Sequence, residues 1–218
     1  MCIACRDALT GVDSVAIAIH CGRAGVEVTG YSDSVAERIE HAQAVAGDGP
    51  GFVAFGSGRP VRIACGPTGF EAWPMFAHAA GRLGVGAVSA LPLRVGGIRI
   101  GAFTLYRYRP DELAVRVEAD AMLLADAISY TLLEDLVRRT PGEVDLTTTY
   151  RDVNVAIGLV AAKLGIPLEW ALLRLRAVAF AAERPLLEVA HDVLRRCAAV
   201  DERLADRPDA MPGGPKVP

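Results

Sequence analysis

Two short breaks near the end of the chain constrain its folding most. Residues 150–196 read YRDVNVAIGLVAAKLGIPLEWALLRLRAVAFAAERPLLEVAHDVLRR, and Gly165-Ile166-Pro167 and Glu183-Arg184-Pro185 divide this block into three segments. Each break ends in proline, whose missing N–H costs nothing at the first position of a helix. Gly165 stands where a helix end favours a residue that tolerates the left-handed conformation. Three helices are therefore expected, the first starting after Thr149, which has capping-box spacing to Asp152. On the first, Val153, Ala156, Ile157, Val160, Ala161 and Leu164 form an apolar stripe, with Val155, Leu159 and Ala162 as a second. The middle helix carries Ala171, Leu172, Leu175, Val178 and Ala179 against Trp170, Leu173, Ala177 and Phe180. A helix apolar nearly all round is buried on more than one side. A unit this small cannot bury two faces alone, so the second faces are expected to meet the front half of the chain or a second copy.

The order, spacing and lengths of these segments resemble the ANTAR domain, the RNA-binding module of bacterial transcription antiterminators. The resemblance rests on Ala156 and Gly158, on Leu164-Gly165-Ile166, on Ala171, Leu175-Arg176 and Ala179, and on Arg184-x-Leu186 and Val189-Ala190. It departs from the family at Ile157, where Lys is frequent, and at Pro167, where Ser is usual. It implies a homodimer that binds RNA hairpin loops and prevents a terminator from forming; no DNA is expected as a partner. Such binding needs cations for phosphate and groups that reach unpaired bases. Arg176 and Arg184 match family positions and are the first RNA-binding candidates, with Lys163 and Arg174 beside them. Arg174 and Arg176 are two apart and point to roughly opposite sides of a helix. One is expected to face solvent or RNA and the other to pair with Glu169 or Glu183. Each has the simpler reading of a solvated surface cation.

The front of the chain reads differently. The end of a helix over 1–9 precedes strands over 12–21 and 26–31, with 22–25 as a hairpin turn. Helices over 34–46 and 52–56 follow, then a strand over 59–64 and a helix over 70–83. Strands over 85–95 and 98–108 flank Gly96-Gly97, a two-residue hairpin signal. A long helix over 111–139 closes the domain, with Val117, Ala121, Leu124, Ile128, Leu132 and Leu136 along one side. This is an α+β pattern on an antiparallel sheet with flanking helices. Together with Gly47-Asp48-Gly49-Pro50-Gly51, Ser57-Gly58-Arg59-Pro60-Val61, Trp73-Pro74, Ala90-Leu91-Pro92-Leu93 and Gly97-x-x-x-Gly101-Ala102, it resembles a GAF domain. The expected organisation is a GAF sensor over 1–139, a linker over 140–149, a small all-α three-helix ANTAR domain over 150–200 and a disordered tail over 201–218. The long helix is the expected transmitter between sensor and output.

The GAF resemblance implies a pocket for a small molecule of unidentified class. Candidate lining residues are Phe52, Phe55, Trp73, Phe76, His78, Ser89 and Leu91, although aromatics at such positions more often build a core. The known cyclic-nucleotide motif contains Asn, and the front domain has none. Tetrapyrrole-binding GAF domains use Cys or His, for which Cys65 and His78 are candidates. The Gly47–Gly51 segment lacks the Gly-Lys-Ser/Thr ending of a phosphate loop, and Ser89 has no nucleophile-elbow context. Cys2-x-x-Cys5 has no second ligand pair, and the histidines show no metal-binding spacing. No catalytic constellation, metal site or cofactor emerges.

Net charge is −3. Residues 144–200 carry seven basic against six acidic side chains, so charge alone does not announce a nucleic-acid interface. The five cysteines stand at irregular spacing, which favours thiols over disulfides. Neither a secretory leader nor a span of membrane length is expected, giving a cytoplasmic protein without membrane contact. Two alternatives stand. One GAF-fold branch reduces free methionine sulfoxide with cysteines, and Cys21 and Cys65 are the candidates for such a redox role. The other is a regulator whose back domain contacts protein and no longer RNA, for which Ile157 and the near-neutral charge argue.

Overall fold

The computed structural model describes residues 1–21, 25–64, 69–138 and 146–205. The chain opens with α1 (Cys2–Ala8), β1 (Ser14–Cys21) and β2 (Gly25–Tyr31), then α2 (Ser34–Ala46), α3 (Pro50–Ser57) and β3 (Val61–Ala64). Next come α4 (Pro74–Arg82), β4 (Ala87–Val95), β5 (Ile98–Arg107) and α5 (Val115–Arg138). The back helices are α6 (Leu146–Leu164), α7 (Leu168–Ala181) and α8 (Leu186–Ala205). Among the described residues five strands form one antiparallel sheet in the order β2-β1-β5-β4-β3.

Local chemistry sets the element ends. Asp33 caps α2 by accepting from the backbone N–H of Val35 and Ala36 at 3.0 and 3.1 Å, satisfying two donors that a helix start leaves free. Gly47 ends α2 in the left-handed conformation at φ +70°. Gly96 and Gly97 turn β4 into β5, with Val95 paired to Ile98.

The sheet is covered on both faces. On one, α1 and α5 bury Val15, Ile17, Leu91, Leu93, Phe103 and Leu105 against Ala121, Ala125, Ile128 and Leu132. On the other, α2 and α4 bury Ala16, Val88 and Tyr106 against Ile39, Phe76 and Ala80. Neighbouring strand residues thus go to opposite layers, as the two-residue period of a strand requires.

The back helices build a second core from Val153, Ala156, Ile157, Ala161, Ala171, Leu172, Leu175, Ala179, Val189 and Ala190. His191 Nε2 and Asp152 Oδ2, 2.9 Å apart, tie α8 to α6. Val45 of α2 and Met75 of α4 join this core, so the two units meet there. The expected second stripe of α7 is not covered: Trp170, Leu173 and Phe180 are each more than half exposed. The front half packs beside the first stripe instead.

Several expected boundaries shift. Helix α6 begins at Leu146, before Thr149, so the expected linker ends earlier; residues 139–145 lie outside the described set. Helix α8 runs through Ala205, past the expected end at 200, because no helix breaker stands between Leu186 and Ala205; residues 206–218 lie outside the described set. Pro167 sits just before α7 and not inside it; its fixed φ fits either position. Helix α4 starts at Pro74, with turns over 69–72. Among the described residues no single helix is long and apolar enough to cross a membrane.

Candidate functional site

The candidate pocket residues of the front domain do not enclose one cavity. Phe76 is fully buried and meets Phe70 edge-on, with ring centroids 5.0 Å apart. Trp73 packs at the edge of the same cluster. Ser89 points to the opposite face of the sheet, where it lines a recess of about 30 Å³ with Arg62 and Arg107, room for a water molecule and little more. Leu91 is buried under α5. His78 is exposed on α4. Phe52 and Phe55 come together elsewhere: the His20 ring stacks on Phe55 at 4.4 Å and meets Phe52 edge-on at 4.8 Å. Burial there pushes the His20 imidazole down to about 4, since a low-dielectric site disfavours the charged ring.

Core side chains fill the space between the sheet and α2. Tyr106 Oη donates to Glu40 Oε1 at 2.6 Å, and Gln43 Nε2 donates to Tyr106 Oη at 3.2 Å. Gln43 Oε1 accepts from the Gly51 N–H at 3.0 Å. A side chain at Gly49 would strike that Gln43 amide, and φ is +145° there, so this turn requires glycine. Burial raises the Glu40 carboxyl to about 7 against the opposing pull of the Tyr106 hydroxyl. The Gly-rich segment thus seats α3 on a buried polar network.

The RNA-binding candidates fall into two groups. Lys163 and Arg174 are exposed on α6 and α7. Arg176 is partly buried, with its guanidinium against Gly47 at the end of α2. Its Nε is buried without a hydrogen-bond partner, and burial lowers its pKa from the usual arginine value. Arg184 pairs with Glu188 at 3.0 Å and Asp192 at 2.7 Å. Glu183, an expected partner for Arg174 or Arg176, instead faces Arg82 of α4 at 3.4 Å. Sequence reasoning missed the meeting of Arg176 with Gly47, because the two come from separate folding units and share no local pattern.

Cys2 and Cys5 are free, buried thiols. Burial pushes both pKa values up, which disfavours the reactive thiolate. Cys65 and the side chain of Cys21 lie outside the described residues. Among the described residues no group of three or more His, Cys, Asp or Glu side chains is placed to hold a metal ion.

No protein-family model matches the sequence, and no curated protein does. Solved structures do match part of the chain. A domain described as part of a two-component sensor histidine kinase from Sinorhizobium meliloti aligns at 19% identity with a TM-score of 0.51, covering 63% of this chain and 94% of that one. The GAF domain of a two-component sensor histidine kinase from Bacillus halodurans aligns at 11% identity and TM-score 0.47, covering 62% and 92%. The GAF-B domain of DevS from Mycobacterium smegmatis aligns at 18% and 0.45, covering 63% and 93%. Two of these three structures are described as GAF domains, and each of the three covers about three fifths of this chain. The neighbour at TM-score 0.51 shares the mixed helix and antiparallel-sheet fold.

Proposed function

We propose that this protein is a regulator in which a GAF-type sensor domain controls a three-helix, ANTAR-like output that binds RNA hairpin loops as a homodimer. The observation that carries the reading is the order of units. A sheet domain of the sensor type precedes a separate helical core, and the two meet where α7 packs on α2. Lys163 and Arg174 are exposed on the output, available to phosphate. Arg176 is held against Gly47, so an RNA-competent state gains a cation when α7 leaves α2. A signal shifts that balance only through its different affinity for the docked and released states. No substrate chemistry is needed, and the protein acts in the cytoplasm.

The test is binding of the full chain to paired hairpin RNA against random-sequence RNA of equal length. Preference for the hairpins supports the reading; equal binding, or none, removes it. One observation favours a second reading, a regulator that contacts protein. Trp170, Leu173 and Phe180 leave an apolar face on α7, and Arg184 is neutralised by two carboxylates. Under that reading, Trp170→Ser abolishes partner capture and RNA binding is never seen.

A further inference from the structure

Between the two units lies a cavity of about 460 Å³, within the size range of small-molecule sites. Helices α2 and α4 form one wall, and the end of α7 with the turn into α8 forms the other. Its polar lining holds three arginines against one carboxylate, with two histidines beside them. Arg38 and His41 come from α2, His78 and Arg82 from α4, and Arg184 from the turn; Glu183 is the one carboxylate among the lining residues. Its apolar lining includes Val45, Met75, Leu83 and Phe180. Arg184 is already engaged by Glu188 and Asp192. Among the described residues Arg82 reaches Glu183, at 3.4 Å between exposed groups, a pair worth little in water. Arg38 is exposed at the cavity.

We propose that this cavity binds a small organic anion, an acidic group on a compact apolar body, held between the two domains. The acidic group takes the Arg38 and Arg82 guanidinium groups, and Arg82 turns to it from Glu183. The apolar body lies on Met75, Leu83 and Phe180. Guanidinium–anion hydrogen bonds are among the stronger polar contacts available, and the partly enclosed wall strengthens them relative to open surface. Because the walls belong to different units, the occupant binds the docked arrangement better than the released one and favours docking by that difference. The site lies outside the sheet–helix space of the front domain, which core side chains fill, and the proposal stands whether or not the output binds RNA.

Anilinonaphthalene sulfonate, an anion on an apolar body, is the probe, and neutral N-phenylnaphthylamine is its control. The expected result is saturable fluorescence of the sulfonate on the full chain, with the neutral compound at least about tenfold weaker. Arg38→Ala/Arg82→Ala weakens the sulfonate by about tenfold or more and leaves the neutral compound unchanged. Glu183→Gln tightens the sulfonate, because it removes the carboxylate that competes for Arg82. Ala79→Trp, which fills the cavity, abolishes both. Circular dichroism checks that each variant is folded. Equal affinity for the two compounds, or sulfonate binding unchanged in folded Arg38→Ala/Arg82→Ala, overturns the proposal.

Discussion

The Arg176 guanidinium rests on Gly47, the left-handed residue that ends α2, so that a methyl group at position 47 would collide with it. One contact therefore joins the closing turn of α2 to a cation of α7. Gly47→Ala combines two costs, a side chain in a left-handed conformation, about 1 kcal/mol or more, and displacement of Arg176. Chemical denaturation is expected to show a loss of about 1–2 kcal/mol. In Gly47→Ala/Arg176→Ala the second cost disappears. Equal losses in the presence and absence of Arg176 would show that the two residues do not meet.

The Glu40 carboxyl gives the front domain a defined pH response. Its folded pKa, about 7, lies above the ordinary 4.5. Its favourable contribution is therefore complete below about pH 4.5 and is lost as pH rises through 7, on the order of 3 kcal/mol in all. Glu40→Gln keeps an acceptor for the Tyr106 hydroxyl and removes the titration. Urea melts at pH 5 and 8 should show a smaller stability difference in the variant than in the parent. An unchanged difference would place the titration elsewhere.

His20 acts in the opposite direction. Its folded pKa, about 4, lies below the ordinary 6.5. The neutral ring's contribution is full above pH 6.5 and is lost as pH falls through 4. Replacing it with Phe between Phe52 and Phe55 should flatten this acid limb and leave the alkaline limb unchanged. Denaturation between pH 4 and 7 measures the slope.

Glu183 has φ +49°, at the end of α7 where the Arg184 N–H reaches back to the Ala179 carbonyl at 3.0 Å. Glycine is the usual occupant of such a position. Glu183→Gly is expected to stabilise the chain by roughly 0.5–1 kcal/mol, since the exposed pair with Arg82 contributes little in return. A fall in melting temperature would contradict this.

Much of the front domain can be read from the sequence because its signals are local. The Gly96-Gly97 hairpin acts within a few residues, as does the two-residue alternation of side chains along a strand. The same alternation shows why the pocket candidates scatter: Val88 and Ser89 are adjacent in a strand, so Ser89 cannot share a layer with Phe76. The three back helices follow from their breaks and stripes, and Ile157 proves to be a core residue at 4% exposure. The uncovered stripe of Trp170, Leu173 and Phe180 could not be foreseen, since composition gives apolarity and not its partner. Nor could the seat of Arg176, which depends on how two separate cores approach.

The salt dependence of hairpin-RNA binding by the full chain, compared with the same titration of Arg176→Ala, tests the central claim most directly. The account predicts affinity that falls steeply with salt, as phosphate contacts release counterions. It also predicts a slope shallower by about 1 in the variant. Hairpin binding no better than that of random RNA, or identical slopes for parent and variant, would contradict the claim that this output reads RNA through Arg176.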